Sequence, residues 1–511
     1  MNRVTVWIPT AFLLKVFSLN EFTLSLWPFF CSMVTIALVF FMGSQLSPRQ
    51  ENITLHAGVF GAVLLAVNLI QLQYATTLIP DIIVSMFMLL LGFVLQYGRS
   101  MESKIRQIIL GILTAIFFSV GIFAKATMIW LLPLMLGLFF YDVIRKQNAR
   151  FWIMTIAAET FCVIVVLLLY QYFTGDPLHR LSVINDTLNT SVFSFQKKSM
   201  LDYANRLTWQ PALVLLTHKG YGLVFAVSLF TLFNTLISFQ RTNNQQLHFW
   251  ACYYLSMLAS FWFGTTSISY YNPLQPDPRH LIVMLPAMCL LAGYALSNVF
   301  AADDAVEKRT SHQIAGLLVI SAILVGIQGA YKQSLTYLIF AALIAIQAFP
   351  SFTSAEAWKR WLHGRAAGSI MIFLLTMIPI YFITVKDWFN IPDHQTEQQI
   401  VQNYLLDLQQ PVVLLTDFAT AGYIQYYFQY HLPDKLKIQR WDDFDPHKQL
   451  NPEVQINLLF NTPRSLHVDE VHQKPTPKYI YRIMEMEKPD VDENGVRFYQ
   501  NIASVVYAAT P

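Results

Sequence analysis

Three places in this 511-residue chain set ionisable side chains against long apolar stretches. A charge there is costly, so a function is the first reason to consider for it. The first is Asp81, at the end of Tyr-Ala-Thr-Thr-Leu-Ile-Pro-Asp, a carboxylate at the mouth of an apolar run. Pro and Asp also favour the first turn of a helix, so Pro80-Asp81 reads equally as a helix start. The second is Lys125 in GIFAKATMIWLLPLML, a lone lysine between two apolar runs. Snorkelling towards lipid headgroups accounts for it. So does a fixed cation that receives an anionic headgroup such as a lipid phosphate. The third and densest is Ser267–His280, SISYYNPLQPDPRH, in which Pro273, Pro276 and Pro278 stiffen the loop that presents Arg279 and His280 to the next apolar run. An always-charged guanidinium with a planar donor fork suits a phosphate. An interfacial anchor flanked by aromatics is the plainer alternative.

The elements that must position these groups are membrane spans. A span needs about 20 mostly apolar residues, and about twelve such stretches run from Leu24 to Val385, among them Ile53–Gln73, Thr127–Val143, Gly220–Phe239 and Ala367–Val385. Val4–Phe17, interrupted by Pro9 and Lys15, is too short and reads as an interfacial segment. Composition agrees: 55% hydrophobic, 14% aromatic and 13% charged residues is too apolar for a soluble chain of this length. A net charge of +3 gives no sign of nucleic-acid binding. Cys31, Cys162, Cys252 and Cys289 all fall inside apolar stretches, which predicts buried thiols rather than disulfides or a zinc site. The start, MNRVTVWIPTAFLLKVFSLNEF, has no small-residue cleavage site and is not a secretory signal.

Charge sets the orientation. Alternate linkers carry thirteen Lys and Arg (Arg49, Arg99, Lys104, Arg106, Arg145, Lys146, Arg150, Arg241, Lys308, Arg309, Lys359, Arg360, Arg365), against three on the short linkers between them (Lys125, Arg279, Lys332). The positive-inside bias therefore puts the long loop Phe173–Lys219, the Arg279 loop and everything after Lys386 outside the cytoplasm. Residues 1–386 are expected to form the transmembrane domain. Residues 387–511 are expected to form a small extracytoplasmic α/β domain, with a helix at Gln399–Leu408 and strands at Pro411–Thr416, Val454–Phe460, Tyr479–Met484 and Val496–Ile502. Asp417 or Thr420 is placed to cap a helix over FATAGYIQYYFQY. That domain shows no catalytic motif and reads as a binding or stabilising unit.

Four segments, in order, resemble the polyprenyl-phosphate-sugar glycosyltransferases of the GT-C fold, the group that includes protein O-mannosyltransferases and lipid A aminoarabinose transferases. They are WIPTAFLLKVFSLNEFTLSLWPFFCSMVTIALVFFMGSQL, LIPDIIVSMFMLLLGFVLQYG, GIFAKATMIWLLPLML and PDPRHLIVMLPAMCLLAGYAL, and together they cover most of Arg3–Phe300. The resemblance implies an all-α polytopic GT-C domain in the bacterial inner membrane. It also implies transfer of a sugar, with inversion, from a polyprenyl phosphate to an extracytoplasmic acceptor: lipid A, a protein or a cell-envelope glycan. It carries over Lys125 and Arg279 as holders of the lipid phosphate and Asp81 as an auxiliary acid. His280 becomes their neighbour at a position where Tyr is common. A divalent metal is found near the site in some such enzymes, but no ligand set here supports one. The base that activates the acceptor belongs to a first outer loop which, with one further span, is expected to precede Arg3. A misassigned start or a truncated gene, with roughly 60 to 90 residues absent, follows as an expectation. Three alternatives compete with the transferase: a transporter or flippase, a polysaccharide polymerase or ligase, and an inactive remnant. A transporter requires helices broken near the midplane, whereas the polar residues here gather at one surface.

Overall fold

The computed structural model describes residues 3–46, 56–179, 195, 198–218, 220–237, 244–267, 270–274, 277–301, 305–348, 368–370, 372–374, 392–428, 430–444, 454–462 and 476–509. The chain forms two compact units, one holding Met1–Val183 and Phe195–Lys386, the other Asp387–Pro511.

The larger unit is helical. Its first eight helices are α1 (Val4–Phe17), α2 (Glu21–Leu46), α3 (Ala57–Ala66), α4 (Leu69–Ala75), α5 (Pro80–Ser100), α6 (Lys104–Ala124), α7 (Leu132–Ile144) and α8 (Ala149–Thr174). Two short helices follow, α9 (Met200–Leu207) and α10 (Gln210–Thr217). The remainder are α11 (Gly222–Ile237), α12 (Gln245–Phe263), α13 (Leu285–Ala301), α14 (Ala305–Ile327) and α15 (Tyr331–Ala348). Among the described residues seven helices are long and apolar enough to cross a bilayer, or eight if α3 and α4 count as one bent span. The unit is that of an integral membrane protein.

The differences from the twelve expected stretches have local causes. Ile53–Gln73 was expected as one span, but α3 and α4 meet at 61°. Asn68 produces the break: its side chain accepts from the N–H groups of Ile70 and Gln71, starting a new helix, and its amide donates to the Gly220 carbonyl. Thr127–Val143 begins as a 3-10 turn, Ala126–Leu131, before α7. Of the expected Gly220–Phe239, α11 covers Gly222–Ile237, and 238–239 lie outside the described residues. Of Ala367–Val385 only 368–370 and 372–374 lie among the described residues.

At the centre lie α5 and the continuous span Arg279–Phe300, with 72% and 89% of their apolar windows buried, whereas α8 buries 11% and turns its Ile, Val and Leu outward. Lipid tails are as apolar as these side chains, so cohesion must come from close packing at small residues. A Cβ on Gly293 of α13 would lie 2.5 Å from the Gly61 nitrogen and 2.7 Å from the Ala57 carbonyl oxygen of α3. A Cβ on Gly43 of α2 would lie 2.6 Å from the Gly58 Cα. Three backbones thus meet through glycines. One end of α5 is pinned by a second device. The Arg99 guanidinium donates through Nε and Nη2, each at 2.6 Å, to the fully buried Asp142 carboxylate, which also accepts from Trp152 Nε1 at 2.8 Å. Arg99, counted in the sequence as one of many linker cations, is a structural tie between α5 and α7.

The smaller unit carries α16 (Pro392–Ile400), β1 (Val412–Thr416), α17 (Phe418–Tyr427), β2 (Leu436–Arg440), β3 (Gln455–Asn461), α18 (Lys478–Met486), β4 (Val491–Glu493), β5 (Val496–Tyr499) and α19 (Ala503–Ala509). The strands order as β2-β1-β3-β5-β4, with β1 parallel to β2 and β3, and β5 antiparallel to β3 and β4. Alternate residues serve two cores. Leu458 and Phe460 face Trp441, Ile480 and Ile483, while Leu459 faces Val412, Leu414 and Ile424. Asp417 caps α17, accepting from the N–H groups of Ala419 and Thr420 at 2.8 and 2.9 Å. Tyr479–Met484, expected as a strand, is a helix: Ile480 and Ile483, three apart, are buried while Tyr481 and Arg482 point out, a helical stripe too short to distinguish by eye. The strands β2 and β4 went unread because edge strands rich in charge carry little apolar signal. Asn494 and Gly495 join β4 to β5 with positive φ at both residues, 53° and 80°, as a two-residue hairpin requires.

If glycine contacts hold α3 against α13, Gly293→Val should cost about 1–3 kcal/mol or more through overpacking. Gly137→Ala, whose Cβ would meet nothing within 4 Å, should be neutral. Thermal unfolding of the two purified variants by size-exclusion fluorescence separates them, and equal stability would contradict the packing.

Candidate functional site

Lys125 is positioned by a break in the chain. After α6 ends at Ala124 the backbone of Lys125 turns extended (φ −159°, ψ 142°), although its N–H still reaches the Gly121 carbonyl at 3.0 Å. The chain then enters the 3-10 turn, and Pro133 opens α7. Asp81 is positioned by the start of α5. Ile79 is extended (φ −115°, ψ 149°), as a residue before proline prefers, and Pro80 and Asp81 form the first turn. The two meet directly, with the Lys125 ammonium donating to Asp81 Oδ1. Their side chains are 15% and 4% exposed. Burial pushes the lysine below its ordinary range, and the charge and hydrogen bond of Asp81 oppose that shift.

Arg279 is held differently. Asp277 Oδ1 accepts from the Arg279 backbone N–H at 2.9 Å, starting the turn Pro278–Leu281, and its Oδ2 pairs with the guanidinium Nε at 3.1 Å. The Arg279 side chain remains half exposed, at 52%. That turn packs on α4, and the following 3-10 segment Ile282–Met284 packs on α5. The charges of Lys125, Asp81, Arg279 and Asp277 all act on the His280 imidazole. Those of Asp277, Arg279 and Asp81 act on the Tyr74 hydroxyl at the end of α4. Lys125 feels Arg279 and also Arg3, ahead of α1. All four residues singled out in the sequence therefore come together, at the meeting of the α4 end, the α5 start, the α6 end and the Arg279 turn.

Sequence reasoning missed Asp277, Tyr74 and Arg3 as members of this group. Asp277 had a signal, since an Asp two residues before Arg279 is spaced for an Asx turn; Arg3 had none, because only packing brings it near. The α1 helix reaches the site side by side with α6, through Thr5 Oγ1 donating to the Val120 carbonyl at 3.3 Å, and with α2, through Trp27 Nε1 donating to the Thr5 carbonyl at 3.1 Å. Proline stiffening is not the whole account of the Arg279 loop either. The buried Asn272 is fixed from both sides: Thr266 N–H and Oγ1 donate to its carbonyl at 2.8 and 2.7 Å, and its own N–H donates to Thr265 Oγ1 at 3.0 Å.

Chemically, this is an array of cations whose nearest partners are carboxylates of the chain itself. An incoming oxyanion would share or replace Asp81 and Asp277 as counter-ion, and Arg279 is the member open enough to meet it first. Among the described residues no group of three or more His, Cys, Asp or Glu is placed to hold a metal ion, and the four cysteines are free thiols.

No protein-family model and no curated protein matches the sequence. Among solved structures, the crystal structure of ArnT from Cupriavidus metallidurans in the apo state is similar with a TM-score of 0.51 at 14% identity, covering 98% of this chain and 88% of that one. The crystal structure of the same protein bound to undecaprenyl phosphate gives 0.52 at 12% identity, covering 97% and 87%. ArnT is an aminoarabinose transferase of the GT-C fold, and the likeness extends over nearly the whole chain. The protein described here has the GT-C fold.

A buried pair predicts a particular pattern of losses. Asp81→Asn leaves an uncompensated buried ammonium and should cost about 3–5 kcal/mol. Adding Lys125→Met should recover most of that, giving a coupling of about 3 kcal/mol or more in a double-mutant cycle on unfolding. Strictly additive losses would show that the pair does not form.

Proposed function

We propose that the chain is a membrane glycosyltransferase that takes a sugar from a polyprenyl phosphate and passes it, with inversion, to an extracytoplasmic acceptor. One observation carries the reading: in a GT-C fold, the ionisable groups Asp81, Lys125, Arg279 and His280 converge at one end of the helices, with Arg279 open to a ligand. That ArnT has been crystallised with undecaprenyl phosphate supports a polyprenyl-phosphate donor for this protein too.

In this account the acceptor oxygen attacks the anomeric carbon as the bond from that carbon to the phosphate oxygen breaks. The bonding pair leaves with the phosphate, whose growing charge falls on Arg279 and Lys125, with His280 beside them. Preorganised cations act most strongly where charge develops. Asp81 serves as the auxiliary acid, holding Lys125 in place before the phosphate arrives. The acceptor's proton passes to a base, which in enzymes the sequence resembles is an acidic residue of a first outer loop; no residue of this chain is assigned that part. The acceptor, whether lipid A, protein or envelope glycan, is left open by this chemistry. A flippase is the second reading, favoured by the 61° break between α3 and α4. With seven residues in α4, that break lies about 10 Å along the helix from the end that meets the cluster.

The orientation belongs to the same proposal. The charge bias of the linkers puts the cluster and the unit from Asp387 onward on the outer side of a bacterial inner membrane, with about twelve spans in all.

Two experiments test the proposal. Arg279→Ala should weaken binding of undecaprenyl phosphate, read by native mass spectrometry, by about 10- to 100-fold, the worth of a charged hydrogen bond; undiminished binding would remove Arg279 from the site. A reporter that functions only in the cytoplasm, fused after Pro511, should be silent. Activity there would reverse the orientation and put every residue of the cluster on the wrong side.

A further inference from the structure

Arg206 lies outside the cluster described above, on α9 in the long loop before α11. The helix is well started: Ser199 and Asp202 form a reciprocal capping box. Its last turn drives Arg206 into the interior, where the residue is 1% exposed. The guanidinium uses one nitrogen. Nη2 donates to the Phe261 carbonyl at 2.6 Å and to the Leu274 carbonyl at 3.1 Å, and the Phe261 ring covers the plane at 4.7 Å. Among the described residues Nε and Nη1 are buried with no hydrogen-bond partner. A guanidinium carries five N–H bonds, so the one on Nε and both on Nη1 remain without an acceptor. Among the described residues no carboxylate acts on it, and the titratable group whose charge does is the Tyr271 phenol. Tyr271 belongs to a group of three rings with Phe195 and Tyr203, whose centroids lie 5.3 to 6.1 Å apart.

A buried cation that cannot lose its proton needs an anion or a full set of acceptors. Holding two carbonyls needs only one donor nitrogen, and a neutral amide would do it. We propose that Arg206, with its Nε and Nη1 hydrogens, is the anchor of a second anion site that binds a phosphate or carboxylate oxyanion beside the Phe195–Tyr203–Tyr271 rings. The site is distinct from the cations at Lys125 and Arg279 and does not rest on the glycosyltransferase reading. The three rings are half-buried, and rings of this kind suit a ligand with an apolar or sugar portion next to its charged group.

The test uses the full-length protein in detergent micelles, in the Arg279→Ala background so that the other cluster contributes little. Inorganic phosphate and dodecyl phosphate are compared with sodium chloride at equal ionic strength, reading the unfolding midpoint. Phosphate should raise the midpoint, and adding Arg206→Met should abolish the rise. Greater protection by dodecyl phosphate at equal concentration assigns the site to a lipid headgroup, and equal protection assigns it to a soluble oxyanion. Arg206→Met should also leave the midpoint without phosphate unchanged or higher, since it removes an unpaired charge, whereas a purely structural clamp would lose stability. Hydrogen exchange on the unsubstituted protein covers the case in which Arg206→Met fails to fold: phosphate, but not chloride, should slow exchange at residues 200–207 and 270–274. Absence of a phosphate-specific shift in both measurements, or a shift that survives Arg206→Met, overturns the proposal.

Discussion

An ammonium at the end of two apolar helices can stay charged only if something answers its charge, and Asp81 answers Lys125. The rest of the site follows from that pairing. It requires the start of α5 and the end of α6 to lie together, which the turn into α6 allows and which the extended backbone at Lys125 completes. Breaking the pair from one side is costly because the other charge is left buried. The far end of α5 is fixed by the same kind of contact, Arg99 on Asp142, 18 residues and therefore about 27 Å along the helix. Between those two ties α5 runs through the core, buried against the span that begins at Arg279. Arg279 and Asp81 are thus set on the two most buried of the long apolar spans described, and Lys125 meets Asp81 from the end of α6.

Much of the site was legible because charge beside apolar sequence is improbable without a reason. Asp81, Lys125, Arg279 and His280 each stood out; the structure pairs Lys125 with Asp81, and the charges of these two and of Arg279 act on His280. What could not be read was the partner of each. Nothing in local sequence says that Lys125 would take Asp81, 44 residues away, or that Arg3 would approach the same place. Arg206 and Asp142 were invisible for a related reason: one resembles a loop cation and the other an acid at a span's end, and only packing shows that both are buried.

The fold was legible to the same degree. Long apolar runs announced the helices, but the bend at Asn68 depends on a side chain capping a helix inside an apolar stretch, which hydropathy does not weigh. In the smaller unit the central strands β1, β3 and β5 were evident from buried apolar runs, whereas the charged edge strands and the helix Lys478–Met486 required the neighbours that define their faces. The fold places the chain beside ArnT, and the function proposed for it rests on the cluster that the fold assembles.

The central claim is that this cluster receives a lipid phosphate by exchanging its own carboxylates for it. A cryo-electron-microscopy structure of the protein with undecaprenyl phosphate tests this most directly. The account expects the phosphate oxygens within hydrogen-bond distance, about 3 Å, of the Arg279 guanidinium and the Lys125 ammonium, with Asp81 sharing or yielding its hold on the lysine. A phosphate bound elsewhere, with the Asp81–Lys125 and Asp277–Arg279 pairs unchanged, would contradict it.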